Sequence, residues 1–131
     1  MSFPTLTLPQ LASLTGVEYR TLHNWVNRGL VTASQEQARG SGTQKIFTRD
    51  DALTAYVFAD LRRSGVELRK LEEVAAELRR QKERPVDVLL INGVVKGASY
   101  ANLKNLVRQM SPAFVYDVGL AAAKFDERIA A

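Results

Sequence analysis

Residues 8–29 read LPQLASLTGVEYRTLHNWVNRG, two short helical patterns joined by a single glycine. Thr7 is placed to cap the first helix, and Gly16 supplies the positive φ that a tight turn needs. The second helix is predicted from Val17 or Glu18 to Asn27. Its inner face is expected to hold Leu22, Trp25 and Val26. Two short helices joined in this way predict a helix-turn-helix.

A hairpin is predicted directly after the second helix. Leu30–Val31 and Lys45–Phe47 have the character of short strands, and the polar, glycine-bearing segment 35–44 is typical of a mobile loop. Glycines would let this wing approach a phosphate or a minor groove, where hydroxyls and cations fix the register of binding. Its candidate contacts are Arg39, Ser41, Thr43 and Lys45. The alternative is a polar loop that contacts nothing.

Two further helices follow the hairpin. Thr48, with Asp51 three residues later, has the spacing of a capping box and predicts a helix to about Ser64. Residues 67–82 have the apolar spacing of another amphipathic helix. The charged segment 79–85 ends in a proline and predicts a domain boundary.

The periodicity of the sequence changes after that boundary. Val86–Ile91 is strand-like, and Asn92-Gly93 is a strong signal for a two-residue hairpin. A return strand, a helix, a third strand and a final helix are predicted to follow. The fold class is therefore mainly α with small β. It comprises an N-terminal winged helix-turn-helix domain over residues 1–84 and a small ββαβα unit over residues 85–131.

Composition excludes several classes of site. The chain has 131 residues, no cysteine and one histidine, His23. These counts exclude disulfides and thiolate metal sites and disfavour a histidine cage or a Ser-His-Asp triad, so we expect no enzyme, no cofactor and no metal. The first residues lack the pattern of a signal peptide, and the apolar runs are too short to cross a membrane. A cytoplasmic protein without a membrane partner is expected.

The positive charge is concentrated in one segment. The formal net charge is +4, and residues 19–49 hold five basic residues against one acid, Glu36. A local basic patch of this kind points to a polyanionic partner, here double-stranded DNA. The alternative is a solvated basic face.

The second helix would be the recognition helix, with its N-terminal residues at base edges in the major groove. Arginine pairs bidentately with guanine, asparagine pairs with adenine, and glutamate accepts from cytosine. Arg20 is the strongest candidate for reading a base, the alternatives being a phosphate contact or a plain surface arginine. Trp25 is expected in the core and not stacked on a base. The other candidate DNA contacts are Glu18, Tyr19, His23, Asn24 and Arg28.

Six short segments resemble segments of a known protein family and occur in the same order along the chain. They are Leu11-Ala12, Leu14-Thr15-Gly16-Val17, Arg20-Thr21-Leu22, Arg28-Gly29-Leu30, Phe47-Thr48-Arg49-Asp50-Asp51 and Arg62-Arg63-Ser64-Gly65-Val66-Glu67-Leu68. From Leu6 to about Leu78 the sequence thereby resembles the DNA-binding domain of the MerR family of transcription regulators, which implies a winged helix-turn-helix that binds DNA. His23-Asn24-Trp25 and the longer wing differ from the common form of the family. Phage excisionases share a related winged scaffold, which leaves architectural DNA binding open.

The tail lies outside this resemblance. MerR-type regulators usually continue with a long helix that pairs in a dimer, whereas Pro85 ends the fourth helix here. A unit as small as residues 85–131 is hard to stabilise alone, so we expect it to pack against a second copy. The apolar residues expected at that contact are Leu89, Ile91, Val115, Tyr116, Val118 and Phe125. The tail could instead fold back on its own chain, dock an unknown protein or bind a small molecule.

These observations together predict a sequence-specific DNA-binding transcriptional regulator. As a homodimer it would recognise a roughly palindromic operator, because the symmetry of the sites mirrors that of the protein. The alternative is an excisionase-like architectural protein that binds direct repeats cooperatively and bends DNA.

Overall fold

The structure, a computed structural model, describes residues 5–39, 42–80 and 86–130. It is mostly helical with two small sheets, as the sequence predicted. The elements in chain order are β1 Leu6–Thr7, α1 Leu8–Thr15, α2 Tyr19–Asn27, β2 Gln35–Arg39, β3 Gly42–Phe47, α3 Arg49–Arg63, α4 Lys70–Arg79, β4 Val88–Ile91, β5 Val95–Ala98, a 3₁₀ turn Tyr100–Asn102, α5 Leu103–Met110, β6 Phe114–Asp117 and α6 Val118–Ala130.

The chain divides into two compact units, Met1–Gly65 and Val66–Ala131. The sequence predicted domains over 1–84 and 85–131, so α4 is the element that the two divisions assign differently. In the structure α4 packs along β5, inside the second unit. The limits 1–84 and 85–131 remain a prediction about function, because packing alone does not define which residues a DNA-binding domain requires.

Hydrogen bonds satisfy both ends of α1. The Thr7 hydroxyl accepts from the Gln10 N–H at 3.4 Å, and the Thr7 N–H donates to the Gln10 side chain at 2.9 Å, which completes a capping box. Gly16 ends α1 with a φ of 73°, a left-handed conformation that glycine adopts without strain. Arg63 donates to the Thr15 carbonyl at 3.2 Å and so satisfies the end of α1.

The first sheet has the antiparallel strand order β1–β3–β2, and two predictions about it were wrong. Leu30 and Val31 do not form a strand, because their N–H groups donate to the Trp25 carbonyl at 3.0 and 3.4 Å and tie them to the end of α2. Residues 35–39 and 42–44, predicted as parts of a loop, pair across the hairpin within β2 and β3. Cross-strand backbone bonds form this ribbon without the apolar alternation that would reveal it in the sequence.

α3 forms the centre of the first unit. The Thr48 hydroxyl accepts from the Asp51 N–H at 3.4 Å, and Asp51 accepts from the Thr48 N–H at 2.9 Å, which confirms the predicted capping box. The Asp51 carboxylate also accepts from the N–H and hydroxyl of Ser34, at 2.9 and 2.7 Å, and so anchors the base of the hairpin. Phe58 is fully buried and meets Trp25 edge-on, with ring centroids 6.0 Å apart. Trp25 is therefore a core residue, as predicted.

The second sheet has the antiparallel order β5–β4–β6, with β4 in the centre. Because β4 is central, its side chains are enclosed by their own unit, and the buried cluster of Val88, Leu90, Ala98 and Met110 packs against α5. The prediction that Leu89, Val118 and Phe125 lie at a subunit contact was wrong. These three side chains are 0%, 2% and 0% exposed, because they form the interior of this unit.

A buried carboxylate joins α4 to β5. Glu77 is only 6% exposed, and its Oε2 atom accepts from the Gly97 N–H at 3.1 Å while Oε1 pairs with Arg80 at 3.2 Å. A Cβ atom at position 97 would lie 2.9 Å from a methyl group of Val86 and 3.2 Å from this carboxylate, so glycine fits best there. The outer side of β5 is thus covered by α4.

Tyr100 lies across the start of α6. Its hydroxyl donates to Asp117 Oδ1 at 2.5 Å, and the same oxygen accepts from the Leu120 N–H at 2.9 Å. These hydrogen bonds lower the pKa of Asp117, and the bond to the carboxylate raises the pKa of Tyr100 to about 12. A Cβ atom at Gly119 would lie 2.1 Å from the Tyr100 hydroxyl, so the contact depends on that glycine.

Candidate nucleic-acid interface

α2 has one buried and one exposed face. Leu22 is fully buried and Trp25 is 4% exposed, so the opposite side of the helix is directed away from the interior. The predicted contacts at the start of the helix are all exposed, and they are Glu18, Tyr19, Arg20, His23 and Asn24. All but Glu18, which is the N-cap residue, form one exposed stripe. The structure therefore brings the predicted base-reading residues together.

Three side chains on this stripe are ordered by contacts with one another. The rings of Tyr19 and His23 are stacked, with centroids 6.1 Å apart and planes inclined by 25°. Asn27 Nδ2 lies 3.2 Å from His23 Nδ1. When the Asn27 amide donates to Nδ1, the ring proton is on Nε2, which is then available as a donor to a partner. Asn27 was not among the predicted site residues, although its spacing of four from His23 was the signal that could have found it.

Arg20 and Asn24 lie one helical turn apart, beside the row formed by Tyr19, His23 and Asn27. Both are exposed, and among the residues that the structure describes no carboxylate is paired with Arg20. Arg28 is also exposed and follows the helix, where its N–H donates to the Asn24 carbonyl at 2.9 Å. A guanidinium and an amide at this spacing can both hydrogen-bond base edges in one groove.

The hairpin places a cation next to the end of α2. Lys45 on β3 is exposed, and in the strand register it lies opposite Glu36. It also lines a shallow depression, the other residues of which are Val26, Gly29, Val31, Thr32 and Ala33. Lys45 therefore lies beside the C-terminal end of the candidate recognition helix, within the same unit.

Some predicted contacts have no described side chain. Ser41 lies outside the described residues, as do the side chains of Arg39 and Thr43. The backbones of Arg39 and Thr43 are described, and in the hairpin register Arg39 lies opposite Gly42 and Thr43 lies opposite Ala38. The roles of these three residues remain predictions.

The described residues carry neither a metal cluster nor a membrane span. Among residues 5–39, 42–80 and 86–130 there is no cluster of three or more His, Cys, Asp or Glu side chains arranged to hold a metal ion. None of the helices in the same ranges is long and apolar enough to span a membrane.

Comparison with known proteins identifies the family. Residues 6–78 match the family model described as MerR HTH family regulatory protein. An uncharacterized HTH-type transcriptional regulator of Mycobacterium bovis is 29% identical over 73 residues, which cover 56% of this chain and 32% of the relative. Uncharacterized HTH-type transcriptional regulators of two Mycobacterium tuberculosis strains, CDC 1551 and H37Rv, give the same values.

The similarity thus spans about a third of each relative's length and just over half of this chain. Its residues include α2, the hairpin and the junction between α3 and α4. Because the family model covers more than half of the sequence, the chain belongs to the MerR family of helix-turn-helix regulatory proteins.

Proposed function

We propose that the protein is a sequence-specific transcriptional regulator without catalytic activity, acting as a homodimer on a roughly palindromic operator. Each subunit would insert α2 into the major groove and place the β2–β3 hairpin on the flanking backbone. Two copies related by a two-fold axis would reach successive major grooves, which gives an inverted repeat.

One observation carries this proposal, the exposed stripe on α2. Arg20 and Asn24 combine the two side-chain types that pair bidentately with guanine and adenine. The stacked row that ends at Asn27 holds His23 in one orientation, and an ordered donor costs less entropy on binding than a free one. The stripe is therefore suited to discriminate between bases.

The hairpin supports the same proposal through the phosphate backbone. Lys45 presents a cation that would meet a phosphate beside the groove that α2 enters. Ser34, fixed by Asp51, anchors the hairpin to the start of α3, so the hairpin base has a defined position relative to the helices of its unit. Arg28, Arg39, Ser41 and Thr43 are proposed as further backbone contacts.

The proposal is tested by selecting binding sites from a random duplex library with the purified full-length chain. The expected result is one enriched sequence arranged as an inverted repeat. The Arg20→Ala variant should lose preference at one base position of each half-site. Arg108→Ala is the matched control, because it removes an exposed arginine from α5 in the other unit.

Other outcomes would change the function assigned. Enriched direct repeats, bound cooperatively, would favour the excisionase-like architectural role in place of an operator-binding dimer. Salt-sensitive binding without any enriched sequence would show that the basic segment holds DNA without reading it. Selection unaffected by Arg20→Ala would show that Arg20 does not read a base.

A further inference from the structure

The two edges of the second sheet are unequal. β5 and β6 flank β4, and each has a strand neighbour on one side only among the described residues. An open sheet edge presents backbone N–H and C=O groups that can pair with another strand, and stable monomers usually cover or charge such edges. Whether each edge is protected therefore indicates where a second chain can add.

The β5 edge is protected in four ways. α4 packs along the strand, and the Gly97 N–H is already used by the buried Glu77 carboxylate at 3.1 Å. Lys70 on α4 donates to the Gly93 carbonyl at the start of the turn before β5. Lys96 adds an exposed charge to the strand itself. No further strand is expected on this side.

Among the described residues, no helix packs along the β6 edge as α4 does along β5, and the one charged residue of the strand, Asp117, is engaged by Tyr100 and Leu120. The β6 sequence Phe114–Asp117 contains neither lysine nor proline, and the strand exposes Phe114 and Val115, at 40% and 45%. Leu120, at the start of α6, is 51% exposed. Monomeric proteins usually blunt or cover apolar edge strands, so an exposed one marks a candidate site for a protein partner.

We infer that the subunit interface of the proposed homodimer is β6 of one copy paired antiparallel with β6 of the second. This inference rests on the proposed function, which requires two copies of α2. Antiparallel pairing of a strand with itself is compatible with the two-fold axis of a dimer. Two three-stranded sheets would then join into one sheet of six strands.

The sequence of β6 is complementary to itself in a register centred on Val115. Val115 then lies opposite the Val115 of the second copy, and Phe114 lies opposite Tyr116, so apolar and aromatic side chains form the cross-strand pairs. Asp117, the only charged residue of the strand, lies opposite Ala113. No pair of like charges is created, which is the charge arrangement that a second copy requires.

The test is the mass of the full-length protein by sedimentation equilibrium over a range of concentrations. The wild type is expected to be a dimer. Val115→Lys places two ammonium groups opposite each other and should raise the dimer dissociation constant at least about tenfold. Val94→Lys is the matched control, because Val94 is also an exposed valine (50%) of this unit but lies in the β4–β5 turn. It should leave the dimer intact.

A charge-reversal pair separates an interface role from a folding role. Val115→Glu and Val115→Lys should each dimerise poorly alone, and their mixture should recover a heterodimer through a cross-strand ion pair. Phe114→Ser gives a second disruption of the edge, and circular dichroism checks the folding of every variant. Recovery in the mixture supports the inference even where one variant alone is destabilised.

The outcomes separate this inference from the function. A wild-type monomer at all concentrations, or a Val115→Lys protein that dimerises like wild type without a gain on mixing, would overturn the β6 interface. Either result leaves DNA selection by α2 to be judged by its own experiment. A dimer broken at β6 whose wild type selects no DNA sequence would support the interface and refute the operator.

Discussion

The two units expose surfaces of opposite character. On α2 of the first unit the apolar side is buried, and the exposed stripe carries Arg20, His23 and Asn24. On β6 of the second unit Phe114 and Val115 stay exposed, at 40% and 45%. Hydrogen-bonding and cationic groups match bases and phosphates, whereas an apolar strand edge matches another protein strand. The two proposals therefore assign DNA recognition to the first unit and self-association to the second.

The largest effects are expected when each unit is destabilised in turn, which tests whether the two roles belong to separate units. Phe58 and Phe125 are both fully buried, one in each unit. Replacing either by alanine should cost about 3–5 kcal/mol of unfolding free energy through lost contacts and a residual cavity. Phe58→Ala should abolish DNA binding before it affects self-association. Phe125→Ala should abolish self-association first and leave the weaker DNA binding of a single subunit. Denaturant unfolding, with mass and DNA binding measured on the same samples, gives the order.

A single unfolding transition in which both variants lose both properties together would contradict this division. It would mean that the two units fold as one cooperative body.

The division of roles is sharpened by removing one charge from α2. Arg20→Ala should weaken binding to the selected site by about 1–3 kcal/mol, because a bidentate base contact is lost. Binding to random DNA should weaken less, and the dimer should be unaffected. Titrations of both duplexes measure the difference. Lys45→Ala is the contrasting variant, because loss of a phosphate contact should weaken all sequences alike and reduce the salt slope by about one.

Equal losses on both duplexes for Arg20→Ala would place Arg20 on the backbone and not at a base. An unchanged salt slope for Lys45→Ala would remove the hairpin lysine from the interface.

A smaller effect is expected at the cap of α3. Thr48→Ala removes the hydroxyl that accepts from the Asp51 N–H, and should cost about 1 kcal/mol of unfolding free energy. Thr54→Ala is the matched control in the same helix. The Thr54 hydroxyl donates only to the Asp50 carbonyl at 3.0 Å, and alanine favours helix, so its effect should stay within about 0.5 kcal/mol. Equal losses from the two changes would refute the capping role.

The smallest effect concerns the pH dependence of the second unit. The pKa of Tyr100 is raised from 10.0 to about 12, so its contribution to stability is complete below 10 and is lost as the pH rises through 12. The pKa of Asp117 is lowered from 3.8, so its contribution is present above 3.8 and is lost as the pH falls through the lowered value. Tyr100→Phe should therefore be less stable than wild type at neutral pH and approach it at both extremes. Urea midpoints measured across pH test this, and a constant difference would contradict it.

Much of the first unit could be predicted because its signals are local. Thr7 and Thr48 show their capping boxes within three residues, and Gly16 marks its turn by being glycine. The strands of the hairpin could not be predicted in the same way. β2 has one apolar residue, Ala38, and its pairing with β3 joins residues three to eleven apart, which is not a pattern within either strand.

The sequence allowed the exposed residues of α2 to be predicted, but not the contacts between their side chains. The spacing of α2 placed Arg20, His23 and Asn24 on one outer face, as the structure has them. The spacing of four also makes His23 and Asn27 neighbours, but whether their side chains meet depends on their rotamers, which the sequence does not show. In the tail, both Leu89 and Val115 were expected at the subunit contact because both are apolar. Only the strand order distinguishes Leu89 on the buried central strand from Val115 on the exposed edge strand.

The bond between Glu77 and Gly97 has a consequence for how such genes can recombine. The family match runs to residue 78, whereas the compact units part at residue 65, so α4 belongs to the matched sequence but packs with the tail. An exchange of N-terminal halves between relatives that joins the parents near residue 84 would combine Glu77 from one parent with position 97 from the other. An exchange that joins them just after Gly65 would keep helix and sheet from one ancestor. Chimaeras joined just after Gly65 should therefore fold more stably than chimaeras joined near residue 84.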